Sequence, residues 1–145
     1  MDNILECANL SKIYKNAIAL SGVNLQIKKG RIVGLLGPNG SGKTTLIKLA
    51  NGLLTPTMGD ILIDGKPIGV ETKKIVSYLP DHNFLTGWMT VNQMIEYFSD
   101  FYSDFNRDRA DKMLESLGID RTKKIKTLSK GTKEKVALIL VMSRE

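Results

Sequence analysis

The sequence predicts an α/β fold in which a helical insertion follows a core of strands and one helix. Short segments of strand composition, separated by turn residues, fill the first third of the 145-residue chain. A glycine-rich turn then joins an apolar segment of strand type to a segment with helical periodicity. From Thr90 onward, the spacing of apolar residues changes from about two to about 3.6, which is the period of a helix.

Five strands are predicted from runs of β-branched and aliphatic residues bounded by turn residues. Ser21-Gly22 and Lys28-Lys29-Gly30 separate the first three, and Pro80 stops the last because proline has no backbone N–H. The predicted strands are Ile4 to Leu10, Val23 to Ile27, Ile32 to Leu36, Gly59 to Gly65 and Ile75 to Leu79.

Four helices are predicted, and local end signals mark several of their ends. The first runs from Thr45 to Leu54. The second starts at Thr90, where Thr90-Val91-Asn92-Gln93 is a capping-box pattern. The third starts near Asn106 and is closed by Gly118, a residue that adopts the left-handed conformation easily. The fourth follows Leu128-Ser129-Lys130-Gly131 and is expected to continue to Glu145.

The composition predicts one folded domain and excludes several function classes. Apolar residues make up 42% and charged residues 25%, which is ordinary for a globular protein. The longest apolar run, Val136 to Met142, is too short for a bilayer, and the start of the chain lacks the pattern of a secretory signal. A single Cys7 cannot form an internal disulfide. These features predict a cytoplasmic location.

The formal net charge of +6 raises the question of nucleic-acid binding. Aromatic residues are only 6%, and the sequence contains no helix-turn-helix or zinc-ligand spacing. A solvated basic surface, or a site for a smaller polyanion, is therefore the preferred interpretation, and nucleic acid is not an expected partner.

Gly37-x-x-x-x-Gly42-Lys43-Thr44 matches the full phosphate-loop pattern, between a strand-type segment and a helix. Its glycines permit positive φ, so consecutive backbone N–H groups can converge on an anion. Lys43 opposes the helix dipole by about 0.3 to 1 kcal/mol, whereas bonds to phosphate are worth about 1.5 to 3 kcal/mol each. The motif therefore predicts nucleotide phosphate binding, with the Thr44 hydroxyl as a ligand of Mg²⁺.

Four features together resemble the ATP-binding cassette (ABC) ATPases of transporters, over essentially the whole chain. They are Tyr14, the loop Gly37-Pro38-Asn39-Gly40-Ser41-Gly42-Lys43-Thr44-Thr45, Tyr78-Leu79-Pro80-Asp81, and Leu128-Ser129-Lys130-Gly131-Thr132. The resemblance implies a P-loop NTPase with a RecA-like core, an N-terminal antiparallel β subdomain and a helical subdomain. It divides the chain into residues 1–80, with the β subdomain and loop, and 81–145, with the Q-loop, helical subdomain and signature helix.

The resemblance also assigns roles to these residues. ATP and Mg²⁺ are the implied cofactors, with the Tyr14 ring stacked on adenine. Asp81 stands where the family usually has a glutamine that contacts Mg²⁺, and its carboxylate is a second candidate metal ligand beside Thr44. Ser129, Lys130 and Gly131 correspond to the signature, which closes over a nucleotide held by a second subunit. His82 is interpreted as a loop residue.

The resemblance is partial, because the 145 residues contain no counterpart of the family's later Mg²⁺-organising aspartate, water-polarising glutamate and switch histidine. We therefore expect this polypeptide to bind MgATP and to hydrolyse it poorly. The implied partners are a second nucleotide-binding subunit and a membrane permease at the inner face of the cell membrane, with export as the expected direction. Two alternatives stay open: a non-transport ABC protein acting on the ribosome or DNA, and a nucleotide-binding module without hydrolysis.

Overall fold

The computed structural model describes residues 2–144, which divide into two compact units, one up to Val76 and one from Ser77 onward. Each unit has its own cluster of buried apolar side chains. The family-based division between residues 80 and 81 stays a prediction.

The first unit contains a four-stranded antiparallel sheet with the order β2-β1-β3-β4. Its strands are β1 (Asn3–Tyr14), β2 (Ala17–Lys28), β3 (Met58–Ile63) and β4 (Lys66–Pro67). The hairpin of β1 and β2 is tight, with Tyr14 opposite Ala17, and the other edge of β1 pairs with β3 through Leu5 and Ile63. The predicted strands near residues 4–10, 23–27 and 59–65 are therefore confirmed.

Two helices complete the first unit: α1 (Lys43–Ala50) and α2 (Val70–Ile75). Leu46 and Leu49 of α1 are buried, and their spacing of three residues places them on one face of the helix. They join a cluster formed with Cys7, Leu10, Leu20 and Ile61. Burial raises the pKa of the Cys7 thiol.

Two strand predictions were wrong. Residues 31–38 have no regular secondary structure, and Ile32 and Leu36 are exposed at 106% and 93%. Ile75 is the last residue of α2, and residues 76–80 are also irregular. A strand exists only where its backbone pairs with a neighbour, and no strand within residues 2–144 pairs with either segment.

The second unit is helical. It contains α3 (Val91–Phe101), α4 (Arg107–Ser116), a short 3-10 helix (Ile125–Thr127) and α5 (Lys130–Met142). The helices surround a core of Leu85, Val91, Met94, Ile95, Phe98, Ala110, Leu114, Ile125, Val136, Ala137, Ile139 and Leu140. The prediction that the last helix continues to Glu145 was wrong for Ser143, which caps it, and Glu145 lies outside the described residues.

The helix-end signals predicted from the sequence are confirmed at the start of α3 and at the end of α4. The hydroxyl of Thr90 accepts a hydrogen bond from the Gln93 backbone N–H at 3.2 Å, and the Gln93 side chain accepts one from the Thr90 N–H at 2.9 Å. At the end of α4, Gly118 has φ +62°, and the N–H groups of Gly118 and Ile119 bond back to Glu115 and Leu114. This is the Schellman arrangement.

We expect Thr90→Ala to lower the free energy of unfolding by about 1 kcal/mol, because α3 loses the acceptor for one of its first amides. Urea unfolding followed by circular dichroism measures the change. Ser103→Ala is the control, since Ser103 is exposed and caps no helix in the described chain. Equal losses in the two variants would contradict the role of the cap.

The end of α5 is held to the α3–α4 connection by a partly buried ion pair. Both Nε and the terminal amino group of Arg144 donate to the Asp104 carboxylate at 3.0–3.1 Å, and the guanidinium carbon lies 4.2 Å from the centre of the Tyr102 ring.

Within residues 2–144, no helix has the length and apolarity needed to span a membrane.

Candidate functional site

The loop before α1 adopts the backbone conformation that its glycines permit. Gly37, Gly40 and Gly42 have φ values of +158°, +83° and +88°. Gly42 is the N-cap of α1 in the left-handed region, and no side chain caps this helix end in the described structure. The first amides of α1 are therefore left for a ligand or for water.

Gly42 also lies against strand β2. A Cβ at this position would overlap the carbonyl oxygen of Ala19 and would lie 2.6 Å from the Cδ2 atom of Leu20. The helix therefore starts where only glycine fits, for reasons of both φ and space. This close approach holds the end of the loop against the sheet of the first unit.

The Lys43 side chain folds back into the loop. Its Nζ donates to the carbonyl oxygens of Gly37 at 2.7 Å and Pro38 at 2.6 Å, and it lies 3.4 Å from the hydroxyl oxygen of Ser41. Neutral oxygens supply these contacts, and no carboxylate within residues 2–144 forms an ion pair with Nζ. The loop thus encloses one positive charge that is not neutralised.

The groups around this charge fit a triphosphate with its metal. Backbone amides at a helix N-terminus and an ammonium recognise phosphate oxygens. Thr44, in the first turn of α1, is exposed and supplies a hydroxyl oxygen of the kind that Mg²⁺ prefers. Asn39 and Ser41 are exposed in the loop, and Thr45 is half-buried.

Tyr14 lies at the end of β1 with 43% of its surface exposed. It faces Ala17 across the hairpin, two residues before the Ala19 carbonyl that contacts the Gly42 position. The sequence interpretation missed Lys12, whose Nζ lies 5.2 Å from the centre of the Tyr14 ring. Lys12 and Tyr14 are two residues apart and therefore lie on the same face of β1, and this spacing was the sequence signal that could have identified Lys12. The hairpin that carries this aromatic ring therefore also contacts the start of α1.

Asp81 and His82 lie in the second unit, on the irregular segment before α3. Both are well exposed, and the Asp81 carboxylate lies 3.2 Å from His82 Nδ1. Within residues 2–144, no cluster of three or more histidine, cysteine, aspartate or glutamate residues is arranged to hold a metal ion. Metal binding by Asp81 stays a prediction.

The signature residues start α5. Ser129 is the N-cap, and its Oγ accepts a hydrogen bond from the Thr132 N–H at 3.2 Å. Lys130 lies 4.0 Å from Glu134, and Gly131 is exposed. Upstream, hydrogen bonds from Thr122 lower the pKa of Asp120, which keeps this carboxylate ionised beside the lysine-rich stretch.

Comparison with known proteins decides the family. A family model described as ABC transporter matches residues 20–145. The chain belongs to the ABC transporter family. The predicted resemblance to the ABC ATPases is therefore confirmed. The ATPases of this family hydrolyse ATP.

Curated relatives of this ABC chain are ATP-binding proteins of transport systems. The SkfA peptide export ATP-binding protein SkfE of Bacillus subtilis is 35% identical, over 93% of this chain and 59% of the relative. The lipopolysaccharide export system ATP-binding protein LptB of Haemophilus influenzae is 33% identical, over 94% of this chain and 61% of the relative. The ABC chain thus spans about three fifths of the length of these proteins.

Solved structures confirm the P-loop NTPase fold class. An ATP-binding subunit of an ABC transporter superposes with a TM-score of 0.84 at 28% identity, covering 95% of this chain and 61% of the other. CbiO1 from Clostridium perfringens, described as part of the ABC transporter complex cbiONQ, gives a TM-score of 0.79 at 33% identity, with 99% and 62% covered.

Proposed function

We propose that the loop Gly37–Thr45 binds MgATP, and that the chain is the nucleotide-binding part of a subunit that couples ATP hydrolysis to export. The observation that supports this proposal most directly is the environment of the Lys43 ammonium. It is bonded to the Gly37 and Pro38 carbonyls and has no carboxylate partner in the described chain. A phosphate oxygen is a stronger acceptor for this ammonium than a neutral carbonyl oxygen is. Membership of the ABC family and the unpaired charge support the same ligand.

Each residue of the site has a separate role in this proposal. The amides from Gly40 to Thr45 and the Lys43 ammonium hold the phosphates, and the Thr44 hydroxyl holds Mg²⁺. The Tyr14 ring stacks on the adenine, an interaction worth about 1 to 3 kcal/mol per base. The bound metal supplies charge neutralisation at the terminal phosphates.

The second unit acts on the nucleotide of a second nucleotide-binding subunit, either a copy or a homologue. Ser129, Lys130 and Gly131 at the start of α5 present amides and an ammonium to that nucleotide. The support is the position of the helix start, where Ser129 satisfies one amide and leaves others for an anion. Asp81 is the candidate for a second metal contact.

We further propose a position at the inner face of the cell membrane, held there by a permease. The support is the set of relatives, whose names include peptide export and lipopolysaccharide export. Which substrate is moved depends on the permease, and the groups described above are specific for the nucleotide alone.

The 145-residue polypeptide should bind MgATP, and it should bind adenosine much more weakly, because adenosine lacks the phosphates that the loop holds. Isothermal titration calorimetry with MgATP and with adenosine measures this difference. Equal affinities for the two ligands would contradict the assignment of the loop.

Hydrolysis is a separate measurement. We propose that these residues alone hydrolyse ATP slowly or not at all, since no residue of theirs matches the family's water-polarising glutamate. A turnover of about 1 per second or faster, a rate typical of complete enzymes, would contradict this part of the proposal. A coupled phosphate-release assay gives the rate.

A further inference from the structure

The second unit contains a cavity of about 320 Å³ that lies between the irregular segment 79–84 and the first two turns of α5. This volume is within the range of small-molecule sites. The apolar part of the cavity wall is formed by Leu79, Pro80, Phe84 and Ala137. Charged and polar groups line the rest: Asp81, His82, Asn83, Lys130, Lys133 and Glu134.

Most of the charges in this cavity already have a partner. Lys130 lies 4.0 Å from the Glu134 carboxylate, and the Asp81 carboxylate lies 3.2 Å from His82 Nδ1. Lys133 is half-buried, and its ammonium has no ion pair or hydrogen bond to any described residue. The cavity therefore combines apolar wall with one unmatched positive charge.

Lys133 lines the cavity beside apolar wall, where its ammonium can form a charge-assisted hydrogen bond with an anion. We propose that the cavity binds a small organic acid with an apolar body, with the carboxylate at Lys133 and the body against Phe84 and Ala137. Every residue that lines the cavity belongs to the second unit, whereas the phosphate loop belongs to the first. The organic acid is a ligand in addition to the proposed nucleotide.

Nuclear magnetic resonance of the ¹⁵N-labelled full chain tests this proposal with three probes that share one apolar body. The probes are 2-naphthoate, the neutral 2-naphthylmethanol and the cationic 2-naphthylmethylamine. We expect saturable shifts from 2-naphthoate at the amides of residues 79, 81–84 and 130–137, with affinity about tenfold above the neutral probe for one charge-assisted bond. Equal affinity for the cationic probe, or no saturable shift, would overturn the proposal.

Two lysines of α5 provide matched variants. Lys133→Met should weaken 2-naphthoate binding about tenfold, whereas Lys135→Met, which changes an exposed lysine outside the cavity wall, should leave it unchanged. Lys133→Arg keeps the charge and should keep the binding. Equal binding by the Lys133→Met chain would overturn the proposal, as would shifts confined to residues 37–45, because the acid would then occupy the phosphate loop.

Discussion

Lys43→Ala should lower the affinity for MgATP by about 100-fold or more, because the loop loses its only ammonium. A charge-assisted hydrogen bond is worth about 1.5 to 3 kcal/mol, and a triphosphate offers more than one acceptor to the ammonium. The fold should persist, since the lost contacts are to exposed loop carbonyls of Gly37 and Pro38. Calorimetry with MgATP gives the affinity, and circular dichroism reports the fold.

Lys48→Ala is the matched control for this variant. Lys48 lies in the last turn of the same helix, α1, where no contact with the phosphate loop is found in the described chain. It should bind MgATP like the unchanged chain. If the two variants bound equally well, the proposed role of Lys43 would be wrong.

Gly42→Ala should lower the free energy of unfolding of the first unit by roughly 3 kcal/mol. The left-handed φ of +88° costs about 1 to 2 kcal/mol for a residue with a Cβ, and overpacking costs about 1 to 3 kcal/mol. The overlap arises because the new Cβ would meet the Ala19 carbonyl and the Leu20 side chain. Relief of the overlap moves the start of α1, so MgATP affinity should fall as well. Urea unfolding and calorimetry measure the two effects.

Gly40→Ala separates strain from overlap. Gly40 has a similar φ of +83°, but a Cβ there would meet nothing within 4 Å. We expect a loss of about 1 kcal/mol, from strain alone. If the Gly42 variant were no less stable than the Gly40 variant, the close approach to β2 would not matter for stability.

Elements whose hydrogen bonds are local in sequence could be predicted well. Thr90 and Gln93 satisfy each other within four residues, and the bonds around Gly118 close within one turn. In both cases, the residues that form the structure are the residues that signal it. The β1–β2 hairpin is local as well, since Tyr14 pairs with Ala17, but the break between these strands was predicted at Ser21-Gly22, which lies within β2.

Elements that depend on distant partners could not be predicted in this way. The segments 32–36 and 75–79 have the composition of strands, but composition does not say which strand will pair with them. The structure leaves Ile32 and Leu36 exposed and continues α2 through Ile75. The apolar pattern was recognised, and the missing information was the identity of the neighbour.

The candidate site also contains parts that the sequence predicts and parts that it does not. The loop and Lys43 form a continuous motif, so the sequence is enough to find them. The contact of Lys12 with the Tyr14 ring follows from their spacing of two residues on β1, whereas the approach of Gly42 to Ala19 depends on packing between distant segments. The sequence alone does not reveal that packing in advance.

The buried Cys7 has a practical consequence for future measurements. Because its thiol is shielded and its raised pKa keeps it protonated at neutral pH, it should react slowly with maleimide dyes. A reporter cysteine introduced in place of the exposed Asn16, in the turn next to Tyr14, could then be labelled selectively with the native thiol left in place. Under the proposed stacking of Tyr14 on adenine, the emission of such a fluorophore should change when MgATP is added.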